Sequence, residues 1–577
     1  MARSGIQQSD EGHRSTAVSY SWRLLGPNVE LRDPAELRRL LLTQRGIDQE
    51  SESDFFEPQY DQALHSPTLL SGMDEALIRI DAALLNKQHI VIYGDYDIDG
   101  ITATALLLDV LGQLGAKVEP YIPDRFEEGY GLNLSALKSL KESGVDLVIS
   151  VDCGITAATE VVQAKEFGLD IIITDHHSVP KDIPAAAVAC LNPRLVGNKY
   201  PFKELAGVGV AFKLACALAQ RHADRIKPGH EKWLLDLVAL GTICDVVPLV
   251  GENRVLTKFG LTVLRKSPRK GLRALAEASS VELQDVGASE LGFRFGPRLN
   301  AAGRLEHASK ALELLTTTRI DRAKELAGML SELNRERQED TIRVFTEAME
   351  QARQYVDDEI LVLSDPSWSH GIVGLVASRV SEAMHKPTLV LQELGAVTKG
   401  SARSIGSFSI IDAVTSCAGL LERFGGHAFA AGMTLKTSRI AHLRQQLNRY
   451  AIAHRNTLGS DKELPINATL AVALLRPDTL RLLQAFEPFG NGNAQPIFAT
   501  ILTLTYMRPV GSDLKHLQMR FMTSGSELGA IAFSAARRWP WLEVGQEVEV
   551  AYRLSKNVWQ GVERLQLEVQ DIRPVQN

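Results

Sequence analysis

The sequence predicts a multidomain α/β protein that ends in a small β-barrel. From residue 89 the pattern alternates between apolar strands and helices, as in a doubly wound parallel sheet. Residues 320–356 form one long stretch of helix-favouring residues, and a second, smaller α/β pattern follows. From residue 464 the pattern changes to short β segments between turn residues, which is typical of a barrel.

Length and composition are those of an ordinary globular protein. The 577 residues are too many for one hydrophobic core, so we expect about three or four domains. Hydrophobic residues make up 45% and charged residues 23% of the chain, and no apolar run reaches the roughly 18 residues of a membrane span. The opening residues lack the apolar segment of a secretory signal. A net charge of −7 leaves any nucleic-acid contact to a local basic groove.

The five cysteines favour a reducing location. None belongs to a C-x-x-C pair, and all lie in apolar contexts, so we interpret them as buried thiols in a cytoplasmic protein.

A cluster of carboxylates follows the strand predicted at Ile90–Tyr93. Asp95, Asp97 and Asp99 stand at alternate positions, and a helix follows them. Ligands of open α/β sheets bind at the carboxyl ends of the strands, so this turn lies where a site is expected. Three anions on one turn repel one another unless a cation offsets the cost, and a hard divalent metal is the natural partner.

Two other interpretations of this turn exist. The pattern D-x-D-x-D-G also begins an EF-hand calcium loop, but position 12 of that loop is Leu106 instead of the required Glu. A solvated acidic turn without a ligand is the second, because a single motif match is weak evidence.

Further polar side chains follow the next predicted elements. They are Asp152 after the strand 147–151, Asp175, His176 and His177 after the strand 171–174, and Asp245 after the helix 233–243. Alone, Asp152 could be a helix N-cap and His177 a structural histidine. Their convergence at one sheet edge favours a pair of Mg²⁺ or Mn²⁺ ions, and the absence of thiolates argues against structural zinc.

These motifs resemble known enzymes. Asp175-His176-His177 is the signature of the DHH phosphoesterase superfamily, and other strings resemble its RecJ family: Gly94–Gly100, Val151–Gly154, Gly241–Leu249, Ile122–Arg125, Gly129–Leu132, Gly296–Arg304 and Gly425–Gly432. Nearly the whole chain is covered. One departure is Ile98, where Ala is commoner in the family.

The resemblance implies a two-lobed DHH core followed by an OB-fold barrel. We therefore expect these segments: an N-terminal segment that packs on the core (1–75), the DHH catalytic domain (76–315), a connecting helix (316–357), a DHH-associated substrate-binding domain (358–460) and the OB-fold domain (464–577). In that family the long helical stretch connects the two lobes, whereas its length alone would also allow a coiled coil.

The resemblance also implies an activity, its cofactors and its partners. We expect a 5′→3′ exonuclease specific for single-stranded DNA that releases 5′-mononucleotides with two Mg²⁺ or Mn²⁺ ions and acts in DNA recombination, repair and mismatch repair. A single-strand-binding protein and a helicase are the expected partners, and the chain is expected to act as a cytoplasmic, nucleoid-associated monomer without membrane contact.

The same resemblance implies residue roles. The expected metal ligands are Asp95, Asp97, Asp99, Asp152, His176 and Asp245. The expected catalytic residues are Asp152, Asp175 and His177. The expected substrate contacts are Arg125, Tyr130, Arg298, Arg304, Ser401, Arg403 and His427. For His427 a structural alternative is open, because a helix predicted over 410–424 would make Gly425-Gly426 its C-cap.

The barrel offers basic side chains that could follow a single strand. They are Arg508, Lys515, Arg520, Arg537, Arg538 and Lys556, although a solvated mixed-charge face explains any one of them equally well.

Three alternative functions remain open on the sequence. A small-nucleotide DHH phosphodiesterase or oligoribonuclease would not need the barrel, and neither would a pyrophosphatase. A catalytically inactive single-strand-binding scaffold would lose the metal carboxylates, which this chain retains.

Overall fold

The computed structural model describes residues 20–125, 128–454, 462–511, 513–523, 525–559 and 562–575. The chain divides into two units. We call residues 58–459 with 488–493 the two-lobed unit, and the residues up to 57 with 460–487 and 494–577 the barrel unit. No helix within the described ranges has both the length and the apolarity needed to cross a bilayer.

The described N-terminal residues contribute to the barrel unit. Their elements are β1 (Tyr20–Leu24), β2 (Glu30–Leu31), α1 (Pro34–Thr43) and α2 (Glu52–Phe56). Helix α1 was predicted, and it begins with Pro34 after Asp33, whose carboxylate accepts a hydrogen bond from the N–H of Ala35 at 3.0 Å. Strand β1 was not predicted, because its partner lies more than 400 residues away in the sequence.

The first lobe of the two-lobed unit contains one sheet and most of the helices. Its elements are α3 (Tyr60–Ala63), α4 (Met73–Leu85), β3 (His89–Gly94), α5 (Ile98–Gln113), β4 (Lys117–Tyr121), α6 (Leu134–Glu142), β5 (Leu147–Val151), α7 (Ala158–Glu166), β6 (Asp170–Thr174), β7 (Ala189–Leu191), α8 (Gly207–Arg221), α9 (His230–Trp233), α10 (Leu235–Cys244), α11 (Gly251–Leu264), α12 (Lys270–Ala278), α13 (Ala288–Glu290), α14 (Gly296–Leu305) and α15 (Ser309–Thr316).

The sheet of the first lobe has the order β4-β3-β5-β6-β7, and all its neighbouring pairs are parallel. Every residue of β3 and β5 is buried, which explains their continuous apolar sequences. The predicted doubly wound α/β domain is therefore confirmed. Because the strands are parallel, the carboxyl ends of β3, β4, β5 and β6 lie at the same edge.

A single long helix, α16 (Ile320–Gln354), leads from the first lobe to the second. The second lobe contains β8 (Leu361–Asp365), α17 (His370–Met384), β9 (Thr388–Leu394), β10 (Val397–Arg403), α18 (Ile410–Ser416), β11 (Leu421–His427), β12 (Ala430–Lys436) and α19 (Ile440–Ala453). Its sheet has the order β11-β12-β10-β9-β8, in which only β8 and β9 are parallel.

The prediction of a helix over 410–424 was wrong in its second half. Helix α18 ends at Ser416, and residues 421–427 form the edge strand β11, paired with β12 through a two-residue turn at Ala428-Phe429. Residues 421–427 are half-buried or exposed, so they lack the apolar face that would distinguish a packed helix from a strand. Gly425 and Gly426 accordingly lie within a hairpin and do not cap a helix.

The C-terminal part of the barrel unit closes on itself, as predicted. Its elements are β13 (Lys462–Ile466), β14 (Ala468–Leu470), α20 (Pro477–Gln484), β15 (Phe498–Val510), β16 (His516–Met522), β17 (Glu527–Ala532), β18 (Glu547–Trp559) and β19 (Val562–Pro574). Strands β15, β16, β17, β19 and β18 form a five-stranded barrel, because β15 pairs with both β16 and β18. The N-terminal strands pair in parallel with this unit, β1 with β13 and β2 with β14.

The core of the first lobe contains a buried ion pair that can be tested. The Nζ of Lys213 donates to Glu252 at 2.7 Å, and both side chains are 2% exposed. Replacing Lys213 by Met would leave the Glu252 carboxylate buried without its counter-charge, which typically costs about 3–5 kcal/mol. We expect K213M to lower the free energy of unfolding by that amount in urea titrations followed by circular dichroism.

Arg335→Met is the matched control for K213M. Arg335 is paired with Glu332 and Glu339 on the exposed face of α16. Exposed pairs contribute little to stability, so this variant should unfold like the wild type. Equal stability of K213M and R335M would contradict the assignment of Lys213 and Glu252 to the stabilising core.

Candidate metal centre and anion site

The turn after β3 is built to present carboxylates. The side chain of Asp97 caps α5 and accepts hydrogen bonds from the N–H groups of Asp99, at 2.9 Å, and Gly100, at 3.2 Å. Gly100 is required, because a Cβ at this position would lie 2.5 Å from the backbone nitrogen of Asp95. The turn thereby places Asp95, Asp97 and Asp99 at the positive end of a helix dipole.

Asp99 is anchored by the start of another helix. It is 1% exposed, and its two carboxylate oxygens accept hydrogen bonds from Gly207, at 2.6 Å, and Val208, at 2.8 Å, the first two residues of α8. Burial, followed by the charge of Asp97, nevertheless raises the pKa of Asp99 to about 7. The backbone donors therefore compensate only part of the cost of burying this charge.

Asp152, at the end of β5, adopts a left-handed conformation with φ of +60°. Asp is one of the few residues that tolerate this region, and the conformation turns its buried carboxylate towards α8. A Cβ on Gly207 would lie 2.6 Å from one oxygen of Asp152, so a glycine is needed at this contact.

His176 joins the carboxylates into one cluster. Its Nε2 lies 3.2 Å from Asp152, 3.7 Å from Asp245 and 3.9 Å from Asp99. Potential ligand atoms within 4.8 Å of one another occur in three sets: Asp95 with Asp97 and Asp152, Asp99 with His176 and Asp245, and Asp152 with His176 and His177. All six predicted metal ligands therefore lie together, and Asp152 belongs to two of the sets.

The electrostatics of this cluster suit a bound cation. Burial, and then the charge of neighbouring carboxylates, raises the pKa values of Asp95 and Asp152 well above the ordinary value of an Asp side chain. The same causes raise the pKa of Asp245 to about 9. Burial lowers the pKa of His176 to about 4, which keeps its imidazole neutral and able to bind a metal. Buried oxygens of Asp95 and Asp152 and the Nε2 of His176 have no hydrogen-bond partner among the described residues. Oxygen-rich ligands with one imidazole fit Mg²⁺ or Mn²⁺.

Asp175 organises the loop that follows β6. Its carboxylate accepts hydrogen bonds from the N–H groups of Ile155, His176 and His177, and it lies 2.8 Å from the Nδ1 of His177. Burial opposes ionisation, but the bonds from His177 and Ile155 lower the pKa of Asp175. Burial lowers the pKa of His177, but the bond to Asp175 and the charges of Asp175, Asp97 and Asp99 together outweigh it and raise the pKa. Tyr130 lies over this histidine, with its Oη 3.3 Å from Nδ1.

A second cluster, of cations, lies beside the metal centre. Arg125 follows β4, Arg304 lies in the last turn of α14, and Arg403 ends β10 of the second lobe. Arg125 stacks over Tyr96, 4.9 Å from the ring centre, and Tyr96 stands between Asp95 and Asp97. Burial, and then the neighbouring arginines, lower the pKa of Arg304 to about 10 and also lower that of Arg403. Within the described ranges these three arginines have no carboxylate within 4.0 Å.

Two residues beside this cation cluster, Lys399 and His370, were not among the substrate contacts predicted from the sequence. Lys399, Ser401 and Arg403 occupy alternate, half-buried positions of β10 and therefore share one face, so Lys399 belongs with the two predicted residues. His370 begins α17, and the charges of Arg125 and Lys399 act on it after burial. The alternation K-x-S-x-R could have indicated Lys399, but no local pattern indicates His370.

Two further predicted substrate contacts, Arg298 and His427, remain predictions, and the structure shows their local surroundings. Arg298 is six residues before Arg304 on α14, on another side of the helix, and donates to Ser331, at 3.2 Å, and to the carbonyl of Arg294. His427 is exposed on the edge strand β11, in register with Ala430, which pairs with Arg403. His427 is thus two strands, or about 10 Å, from Arg403 on the same face.

The basic residues predicted on the barrel differ in their surroundings, and Arg537 is exposed. Arg538 is structural, because it pairs with Asp571 at 3.0 Å and lies against the rings of Tyr20 and Trp539. Three others form exposed ion pairs with acids: Lys515, Arg520 and Lys556. Arg508 instead donates to Gln518 at 2.9 Å. Arg520 also lies over the ring of Tyr506, 5.2 Å from its centre, which leaves an aromatic-basic pair on the barrel surface.

Family models match all three parts of this architecture. The DHH family N-terminal domain matches residues 89–242, the DHHA1 domain matches 357–453, and the RecJ OB domain matches 466–571. The single-stranded-DNA-specific exonuclease RecJ of Dickeya dadantii is 37% identical over 95% of this chain and 98% of its own length. The chain belongs to the RecJ family.

Other members of the RecJ family support this assignment. The single-stranded-DNA-specific exonuclease RecJ of Bacillus subtilis is 38% identical over 92% of this chain and 67% of its own length. The crystal structure of RecJ from Thermus thermophilus in complex with Mn²⁺ superposes with a TM-score of 0.81 at 32% identity, covering 96% of this chain and 80% of that one. A structure of the same protein with Mg²⁺ gives a TM-score of 0.74.

The contact between Gly207 and Asp152 generates a prediction about metal binding. In Gly207→Ala the new methyl group must displace the Asp152 carboxylate, which lies 2.6 Å from the Cβ position. Perturbing groups that position metal ligands typically costs 10–100-fold in metal affinity, and we expect a loss of at least about tenfold. Titration calorimetry with Mn²⁺ measures it.

Gly209→Ala is the matched control for G207A. The nearest atom to a Cβ at Gly209 is the end of the Leu205 side chain, at 3.3 Å, and the substitution is in the same helix. G209A should bind Mn²⁺ like the wild type. An unchanged Mn²⁺ affinity in G207A would show that Asp152 takes no part in metal binding.

Proposed function

We propose that this protein is a metal-dependent exonuclease that degrades single-stranded DNA from its 5′ end and releases 5′-mononucleotides. The observation that carries the proposal is the juxtaposition of a carboxylate-histidine cluster with a cluster of arginines, joined through Tyr96. The first cluster suits hydrolysis of a phosphodiester and the second suits a phosphate group that has no further nucleotide attached. Membership of the RecJ family supports the single-stranded DNA substrate.

The metal centre supports the hydrolytic step. Asp95, Asp97, Asp99, Asp152, His176 and Asp245 would hold two Mg²⁺ or Mn²⁺ ions. Divalent ions in such a site supply a nucleophilic water at neutral pH and stabilise charge on the phosphoryl oxygens. The chain's own contribution is to hold the carboxylates rigidly, through the N–H groups of α5 and α8.

His177 is suited to act on the scissile phosphate. Its Nδ1 is directed to Asp175 at 2.8 Å, so Nε2, which lies 3.4 Å from the hydroxyl of Tyr130, would face the substrate. Its raised pKa favours the protonated form. A protonated imidazole there would neutralise the phosphate or donate a proton to the leaving 3′-oxygen. Asp175 acts through His177 as a positioning residue. Tyr130, 49% exposed above His177, is placed to contact the terminal nucleotide.

The arginine cluster supports the 5′ polarity. Arg125, Arg304 and Arg403, with the hydroxyl of Ser401 on the same strand face as Arg403, offer several donors to a terminal 5′-phosphate. A phosphate held there, beside the metal centre, would place the first internucleotide bond at the carboxylates. Each cleavage would then release one nucleotide.

The barrel would hold the strand beyond the active site. The surface pair Tyr506 and Arg520 on β15 and β16 combines stacking with charge, which is how OB-folds bind single strands. A cytoplasmic role in recombination and repair, including mismatch repair, and supply of the substrate by a helicase and a single-strand-binding protein complete the proposal.

A degradation assay tests the function directly. The purified protein is incubated with Mn²⁺ or Mg²⁺ and a 5′-phosphorylated single-stranded oligonucleotide labelled at its 3′ end, or with its blunt duplex. We expect a ladder of successively shorter labelled products from the single strand, none from the duplex, and none in EDTA. Binding without cleavage, or cleavage restricted to di- to tetranucleotides, would overturn the proposal.

Asp152→Ala separates catalysis from binding in this assay. Asp152 lies in two of the ligand sets, so its loss should lower the rate by at least about a hundredfold. DNA binding, measured by anisotropy, should remain largely intact because Asp152 contributes no favourable charge to a phosphate. Near-normal turnover by D152A would refute the proposed metal scheme.

Arg403→Gln tests the proposed polarity. Removing this charge should raise the KM for 5′-phosphorylated strands about tenfold or more, since a bond between ionised groups contributes strongly to binding. The KM for strands with a 5′-hydroxyl should change little. Arg343→Gln, on the exposed face of α16, is the control and should leave both values unchanged. Equal effects of R403Q on both strands would contradict a role at the 5′-phosphate.

A further inference from the structure

His370 has an unusual environment for a histidine. It is the first residue of α17, and its buried Nδ1 has no hydrogen-bond partner in the described part of the chain. Burial, and then the charges of Arg125 and Lys399, lower its pKa to about 4, so the imidazole is neutral at physiological pH. A buried ring nitrogen without a partner is costly, and such groups in native proteins call for an explanation.

The position of His370 relative to the cation cluster follows from α17. One turn further along the helix, a Cβ on Gly374 would lie 3.0 Å from the guanidinium of Arg403 and 3.4 Å from the hydroxyl of Ser401. Residues four apart lie on the same face of a helix, so His370 is on the face that meets β10. Lys399 and Ser401 are two residues apart on that strand, and this distance is close to the length of one helical turn. Lys399 is therefore expected beside His370, as Ser401 is beside Gly374.

Residues of the first lobe also lie close to His370. Arg304 donates to the carbonyl of Gly371, the next residue of α17, at 3.1 Å. Arg125 is also close enough to influence His370. His370 therefore stands where cations of both lobes converge, although the backbone N–H of His370 is occupied by Gln392, at 2.9 Å.

We propose that the imidazole of His370 is a further contact to the terminal 5′-phosphate and helps to distinguish a 5′-phosphate from a 5′-hydroxyl. This inference deepens the proposed function and rests on the arginine cluster being the 5′-phosphate site. Cations alone would supply sufficient charge, but each additional cation raises the repulsion in the empty site. A neutral imidazole adds a hydrogen-bond donor without adding to that repulsion.

Binding without turnover measures this contact. Fluorescence anisotropy in EDTA compares two oligothymidylates labelled at the 3′ end, one with a 5′-phosphate and one with a 5′-hydroxyl. His370→Leu should weaken binding of the phosphorylated strand about tenfold, the usual effect of one hydrogen bond to a charged group, and leave the other strand unchanged. His370→Gln keeps a neutral donor and should bind the phosphorylated strand more tightly than H370L.

The opposite end of the same helix provides the control. His385 also has a buried Nδ1 without a partner among the described residues, but it caps the C-terminus of α17 with φ of +53°, which Asn tolerates. His385→Asn should therefore retain the preference of the wild type for the phosphorylated strand.

The possible outcomes separate this inference from the function on which it rests. A wild type without preference for the 5′-phosphate overturns both. If R403Q loses the preference and H370L retains it, the phosphate site stands and His370 has no part in it. If H370L weakens both strands equally, or if H370Q is as weak as H370L, His370 is structural and the inference fails.

Discussion

Repulsion among buried carboxylates is the constraint on which the active region depends. Asp95, Asp99 and Asp152 are nearly inaccessible, and burial, followed by the charge of neighbouring carboxylates such as Asp97, raises the free energy of ionising each of them. The fold opposes this repulsion with backbone N–H groups, because two helix N-termini, of α5 and α8, point at the carboxylates. These donors hold the geometry but leave buried oxygens without partners in the described ranges, so the region is balanced only when cations are bound.

The cation cluster presents the same problem with the opposite sign. Arg304 and Arg403 come from different lobes, and burial, followed by the charge of Arg125, makes both easier to deprotonate. Within a protein such charges are retained where an anion completes the site. The two clusters meet at the turn that contains Tyr96, so the proposed substrate, with its adjacent phosphates, would satisfy both of them at once.

The sequence predicted the parts of this arrangement that depend on local pattern. The strands of the first lobe were found because both faces are buried, and the candidate ligands were selected because most of them follow a strand end. The contacts that complete the site could not be predicted in this way. The bond from Gly207 to Asp99 joins residues that are 108 positions apart, and the bond from Arg304 to Gly371 joins residues 67 apart. Neither leaves a periodic signal.

The missed and wrong strand assignments have the same physical origin. Edge strands such as β1 and β11 are short and partly exposed, so hydrophobic periodicity is weak and tertiary pairing decides their conformation. Arg298 and Arg304 stand in the same motif, yet helix geometry sends them to different neighbours, Ser331 and Gly371. A motif therefore indicates which residues are near a site, and only the fold decides which of their side chains enter it. His370 illustrates the converse, since its environment is defined by Arg125 and Lys399, which are distant from it in the sequence.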